Sequence, residues 1–131
     1  MTTKPPTKPD KPLAETELEM MNLIWRLGPS TINQLLEALP VDRPLAYTSV
    51  STIVRILEQK RYVSSTKEGR GHVYAAAVGK DEYQSKSINY LVRKVFDGTP
   101  ASLVRQLLQD GQLSHEDLQE IKKIIKQKDQ R

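Results

Sequence analysis

Four small hydroxyl side chains, Thr48, Ser49, Ser51 and Thr52, open a helix-length stretch from Ala46 to Lys60, and Arg55 follows one turn later. A hydroxyl both donates and accepts hydrogen bonds, so such residues can bond to base edges or phosphates, and a threonine methyl can pack on the thymine C5-methyl. Their shortness lets the backbone approach a groove closely. Tyr47 adds a ring able to lie over a sugar–phosphate backbone. The chain then passes through Tyr62-Val63 to a basic turn, Lys67-Glu68-Gly69-Arg70-Gly71, before His72-Val73-Tyr74. Lys67 and Arg70 at this turn are suited to phosphate oxygens or the minor groove. His72 is expected to stack or hydrogen-bond beside the turn. Taken together, these groups have the chemistry needed to read a DNA duplex.

The elements that would position them follow from periodicity. From Glu15, Leu18, Met21 and Trp25 form an apolar stripe, broadened by Met20, Leu23, Ile24 and Leu27, which predicts a helix central to a small core. Gly28-Pro29 ends it. Ser30 reads as the N-cap of a second helix, Thr31 to Leu39, with Ile32, Leu35, Leu36 and Leu39 inward. A connection through Pro40 and Pro44 leads to the third helix, whose Val50, Ile53, Val54 and Leu57 recur at helical spacing. Tyr62 to Thr66 and His72 to Ala76 read as two strands of a hairpin. In a helix-turn-helix the second helix enters the major groove with its early residues nearest the bases. The third helix and the hairpin fit that role.

Charge supports one binding face on an otherwise neutral domain. The 131 residues carry a net charge of +4. Residues 13–79 hold seven basic and seven acidic side chains, but Arg55, Lys60, Arg61, Lys67 and Arg70 gather within residues 55–72 against only Glu58 and Glu68. Segregation of that kind suits phosphate binding by one surface. Residues 1–12, with four of the eight prolines, read as a disordered basic tail. With no cysteine, disulfides and thiolate metal sites are excluded. The two histidines lie far apart, and neither a Gly-rich phosphate loop nor metal-ligand spacing appears, so no enzyme activity and no cofactor are expected. Glu15, Glu17 and Glu19 are taken as helix-opening acids complementing the macrodipole. No apolar run approaches the roughly 18 residues that span a bilayer. A cytoplasmic chain without membrane insertion is expected.

Gly79 marks the expected boundary between a domain over 13–79 and a second over 80–131. The latter reads as three helices, Asp81 to Phe96, Pro100 to Gln109 and Ser114 to Lys128, separated by Asp97-Gly98 and Asp110-Gly111. Their apolar positions include Leu91, Val95, Leu103, Val104, Leu107, Leu108, Leu118, Ile121 and Ile125. About fifty residues of short helix cannot bury such stripes alone, so a second copy of the chain is expected to complete the core. A dimer would also supply the second half-site that a neutral reading module needs for affinity. The competing reading is a winged-helix module used for protein–protein contact without DNA binding. The local charge at residues 55–72 argues against it.

Four segments in order resemble one family. Leu13 to Trp25 resembles the opening helix of the BlaI/MecI penicillinase and methicillin-resistance repressors. Leu45-Ala-Tyr-Thr-Ser-Val-Ser-Thr-Ile53, with Leu57 and Lys60, is similar to the family's recognition helix. Gly69-Arg-Gly-His-Val-Tyr74 is similar to its wing, and Ser102-Leu-Val104 to a signature in the second dimerisation helix. The resemblance covers residues 13–126 and implies a mainly α fold: a winged helix-turn-helix domain of three helices and a β-hairpin, then an α-helical dimerisation domain. It implies a homodimeric repressor of a palindromic operator with TACA/TGTA-like half-sites, with Thr48, Ser49 and Ser51 on bases and Lys67 and Arg70 on phosphates. In the resistance systems a membrane sensor protease triggers cleavage of an Asn–Phe bond, where this chain carries Gln106-Leu107. The cysteine-rich metal site of related copper-responsive repressors has no counterpart here. Arg61 stands where a glycine is common in the family.

Overall fold

The computed structural model describes residues 12–130. The basic tail expected at 1–12 lies, Pro12 apart, outside the described residues. In chain order the elements are α1 (Glu15–Leu27), α2 (Ile32–Glu37), α3 (Tyr47–Gln59), β1 (Val63–Glu68), β2 (Gly71–Ala76), α4 (Lys80–Lys94), α5 (Pro100–Gln109) and α6 (His115–Asp129). The chain divides into two compact units, one ending at Asn89 and the other beginning at Tyr90.

In the first unit α1 is the central helix, as its broad apolar surface requires: Met20, Met21, Leu23 and Ile24 are all buried, although Leu27 is left 44% exposed. Its first turn is closed by the Glu17 carboxylate, which accepts the Ala14 N–H at 2.9 Å. Gly28 ends it with φ 79°, a conformation disfavoured for side-chain-bearing residues. The next residue but one corrects the sequence reading. Ser30 does not cap α2; it exchanges backbone hydrogen bonds with Tyr74, N–H to O at 2.9 and 2.8 Å. This bridge aligns the hairpin with the start of α2. With Ser30 engaged in pairing, Thr31 becomes the N-cap, accepting from Gln34 N–H while the Gln34 side chain accepts from Thr31 N–H. The helix ends at Glu37, two residues earlier than expected, and Leu39 closes a tighter turn onto the Leu36 carbonyl.

Helix α3 buries Val50, Val54 and Leu57 completely against α1 and α2. Its exit is a Schellman motif: Arg61 N–H bonds to the Glu58 carbonyl and Tyr62 N–H to the Leu57 carbonyl. Arg61 takes the left-handed position, φ 69°, where glycine is usual. Tyr62 is thereby turned into the core. The hairpin pairs Val63 with Ala76 through Glu68 with Gly71, leaving only Gly69 and Arg70 to turn the chain. The strands are thus longer than expected, and Lys67 lies within β1 opposite His72, not in the turn. Gly69, at φ 59°, supplies the positive φ that a two-residue hairpin turn demands.

The first unit reaches beyond Gly79 because α4 contributes its opening turns. Tyr83 is buried, its hydroxyl accepts the Leu13 N–H at 2.9 Å, and its ring lies 5.6 Å from Trp25 and 6.1 Å from Tyr62. The Trp25 indole N–H in turn donates to the Val78 carbonyl at 2.8 Å. In the second unit, the Asp97-Gly98 turn, both residues at positive φ, separates α4 from α5. Ser114 caps α6, with Asp117 completing a capping box. Neither α5 nor α6 has a buried residue. Among the described residues, no helix is long and apolar enough to cross a membrane.

Candidate nucleic-acid interface

The amphipathic spacing of α3 decides which side chains are presented. With Val50, Val54 and Leu57 turned inward, Thr48, Ser49, Thr52 and Arg55 fall on exposed positions, and Tyr47 is 49% exposed. Ser51 is half-buried. The helix starts after Ala46, which makes no side-chain cap, so Thr48 is not consumed by capping. The Thr52 hydroxyl, however, donates to the Thr48 carbonyl at 2.8 Å. Its proton is used within the helix, leaving its lone pairs and methyl outward, which favours apolar contact over donation.

A cleft of about 330 Å³ joins three elements: Tyr47 and Ser51 of α3, Arg70 with Gly71, His72 and Tyr74 of the hairpin, and Thr31, Ile32 and Asn33 at the start of α2. It brings together three of the residues singled out from sequence, Tyr47, Ser51 and Arg70. Thr48, Ser49, Thr52, Arg55 and Lys67 do not line it; they are exposed on α3 and β1. Thr31 and Asn33 also line the cleft and were not singled out from sequence. Their signal was present, because the first helix of a helix-turn-helix crosses the DNA backbone. His72, expected beside the wing, stands 6.3 Å from the Tyr74 ring at a 38° tilt.

Electrostatics around the site are sorted by two ion pairs. Lys60, counted from sequence in the basic cluster, donates to Glu17 Oε2 at 2.8 Å and acts as a tie between α3 and α1. Burial would push the Glu17 carboxyl up, but the hydrogen bond and charge of Lys60 and the Ala14 N–H outweigh it and hold its pKa below the usual value. Glu17 therefore serves the first turn of α1 as expected and is also a buried partner of Lys60. Arg43, in the connection before α3, donates Nε to Glu19 Oε2 at 2.9 Å and Nη2 to Oε1 at 3.4 Å, fixing that connection to α1. Arg55, Lys67 and Arg70 remain exposed cations around α3 and the hairpin. Among the described residues, no cluster of three or more His, Asp or Glu is placed to hold a metal.

Three helices, a bridging residue and a two-stranded hairpin set against the second helix of the pair define a winged helix-turn-helix module. Similarity to known proteins specifies it further. The family model described as penicillinase repressor matches residues 13–127. The penicillinase repressor of Bacillus licheniformis is 25% identical over 115 residues, covering 88% of this chain and 90% of that protein. The methicillin resistance regulatory protein MecI of Mammaliicoccus sciuri is 23% identical over 116 residues, covering 88% and 94%. A shorter match of 71 residues, 53% of this chain and 51% of the other, is 39% identical to the transcriptional regulator BlaI of Mycobacterium tuberculosis. Among solved structures, the DNA-binding domain of the repressor BlaI superposes with a TM-score of 0.51 at 25% identity, covering 59% of this chain and 94% of that one. The chain belongs to the penicillinase repressor (BlaI/MecI) family of winged-helix transcriptional regulators.

Proposed function

We propose that this chain is a sequence-specific DNA-binding repressor that acts as a homodimer on a palindromic operator and blocks transcription by occupying it. The observation that carries the proposal is the cleft in which α3's Tyr47 and Ser51 meet the wing's Arg70, with the exposed hydroxyls of Thr48 and Ser49 beside it. In this reading Thr48, Ser49 and Ser51 contact base edges, and the Thr52 methyl packs on thymine. Tyr47, Arg55, Lys67 and Arg70 hold the backbone. Residues 13–79 make the DNA-binding domain and 80–131 the dimerisation domain, with the first turns of α4 serving both. The site of action is the cytoplasm.

Half-sites of the TACA/TGTA kind, as in the resembling repressors, are the natural probes. Fluorescence anisotropy on a palindromic duplex should give binding that falls steeply as salt rises from about 50 to 200 mM, because several phosphate contacts release counterions. A scrambled duplex should bind far more weakly. Absent or salt-insensitive binding would favour a winged-helix module for protein contact instead. The proposal includes release by a membrane sensor protease that cuts between Gln106 and Leu107 in α5, where Gln106 is exposed. Such a cut would separate α6 from the rest of the dimerisation domain. Mass spectrometry of the induced protein should then find a fragment ending at Gln106, and an intact chain in induced cells would remove cleavage from the mechanism.

A further inference from the structure

A side-chain hydrogen bond links the end of α3 to the base of the wing. The Ser65 hydroxyl of β1 donates to Glu58 Oε2, on the last turn of α3, at 2.5 Å in a partly buried setting. A hydroxyl bonded to a carboxylate at about 2.5–2.7 Å lies in the strong, charge-assisted range. Glu58 is also one of only two acids in residues 55–72. Its negative charge opposes phosphate binding, so any contribution to affinity must come through what it holds.

What it holds is the base of the wing. Ser65 faces Tyr74 across the hairpin, and Tyr74 exchanges backbone hydrogen bonds with Ser30. The hairpin is therefore fastened on its β2 side by Ser30 and on its β1 side by Glu58. Beyond these points residues 66–71 are all exposed and paired only across the ladder. A two-stranded hairpin is marginal by itself, so its direction depends on how its base is fixed. Lys67 lies two residues past Ser65, about 7 Å along the strand, and Arg70 lies at the turn. A small rotation at Ser65 is enlarged at both cations.

We infer that Glu58 is a positioning residue for the wing: through Ser65 it aims Lys67 and Arg70 at DNA phosphates. The inference rests on the DNA-binding reading above. It is tested in the full chain with Ser65→Ala, Glu58→Ala and Glu58→Gln, measuring duplex affinity against salt and amide hydrogen exchange in residues 66–71. Ser65→Ala and Glu58→Ala should weaken binding about three- to tenfold and make the log K against log salt slope shallower by about one to two, as release of the wing from its phosphates requires. The hairpin amides should exchange faster without a matching fall in the helical core. Glu58→Gln keeps an acceptor for the Ser65 hydroxyl and should recover most of the slope. In a Lys67→Ala/Arg70→Ala background, Ser65→Ala should change nothing further.

A surface-charge role would behave in the opposite way: Glu58→Ala and Glu58→Gln would both bind more tightly, and Ser65→Ala would match the unsubstituted chain. That result overturns the inference while leaving DNA binding intact. If the unsubstituted chain binds no duplex, the DNA reading and the positioning role fall together. Ser65→Ala removes only one oxygen and leaves the backbone ladder in place, and circular dichroism melting identifies any variant that does not fold.

Discussion

Arg61 holds a left-handed backbone, φ 69°, at the position of a Schellman exit where glycine relieves strain. The left-handed region costs an L residue on the order of 1–2 kcal/mol, of which glycine returns part through its greater unfolded entropy. Arg61→Gly should therefore stabilise the chain by about 0.5–1 kcal/mol in denaturant titration. An unchanged or lower midpoint would mean that the arginine side chain compensates for its backbone. The hydroxyls of α3 make a different kind of test. Ser49→Ala or Ser51→Ala should change which base is preferred at one half-site position, by about 1–3 kcal/mol for each good base interaction removed. Binding to scrambled DNA should stay nearly constant. A uniform loss over all sequences would reassign these hydroxyls to phosphates. Thr52, whose proton is held by the Thr48 carbonyl, should lose discrimination when its methyl is removed (Thr52→Ser) more than when its hydroxyl is replaced (Thr52→Val).

At the scale of elements, Glu17 and Lys60 tie the start of α1 to the exit of α3. The folded Glu17 carboxyl has a depressed pKa, so its stabilisation is present above the ordinary value of 4.5 and lost as pH falls below it through the folded value. Glu17→Gln should lower stability at neutral pH by about 1–2 kcal/mol, a range reduced by the exposed Lys60 end. The gap from the unsubstituted chain should close as the pH falls below the ordinary value of 4.5 and through the folded one. A gap that persists there would mean that shape, not charge, is what the pair supplies. This tie also shows where legibility ended. The stripes of α1, α3 and the C-terminal helices, the paired glycines of the turn and the exposed hydroxyls were readable because helix period and turn chemistry are local. The Lys60–Glu17 pair spans 43 residues, and no local pattern separates a lysine that faces DNA from one that faces an internal carboxylate. Ser30 and Thr31 are equally good caps by type; pairing with the distant Tyr74 decides between them. Tyr83 likewise moved the edge of the first unit past Gly79, since only packing shows which core a tyrosine on a boundary helix joins.

For the whole molecule, the second unit carries apolar stripes without an interior. Val95, Val104, Leu108 and Ile125 are 47–59% exposed, and Leu91, Leu103, Leu107, Leu118 and Ile121 are only half-buried. A second copy that covers these faces should make the melting temperature rise with protein concentration. Leu108→Glu should give a monomer by sedimentation and lower affinity for a full palindrome by about 10²–10⁴-fold, while a single half-site is bound as before. A dimer that survives this change would place the contact elsewhere. The two long-range bonds at the base of α4 also bear on the order of synthesis. Leu13 is bonded to Tyr83 across 70 residues, and Trp25 to Val78 across 53. At roughly 5–20 residues per second, a ribosome finishes the three helices and the hairpin before it supplies the tyrosine that seals them. The first unit must wait for the opening turns of α4, so a nascent chain closes its first unit only as its second begins to emerge.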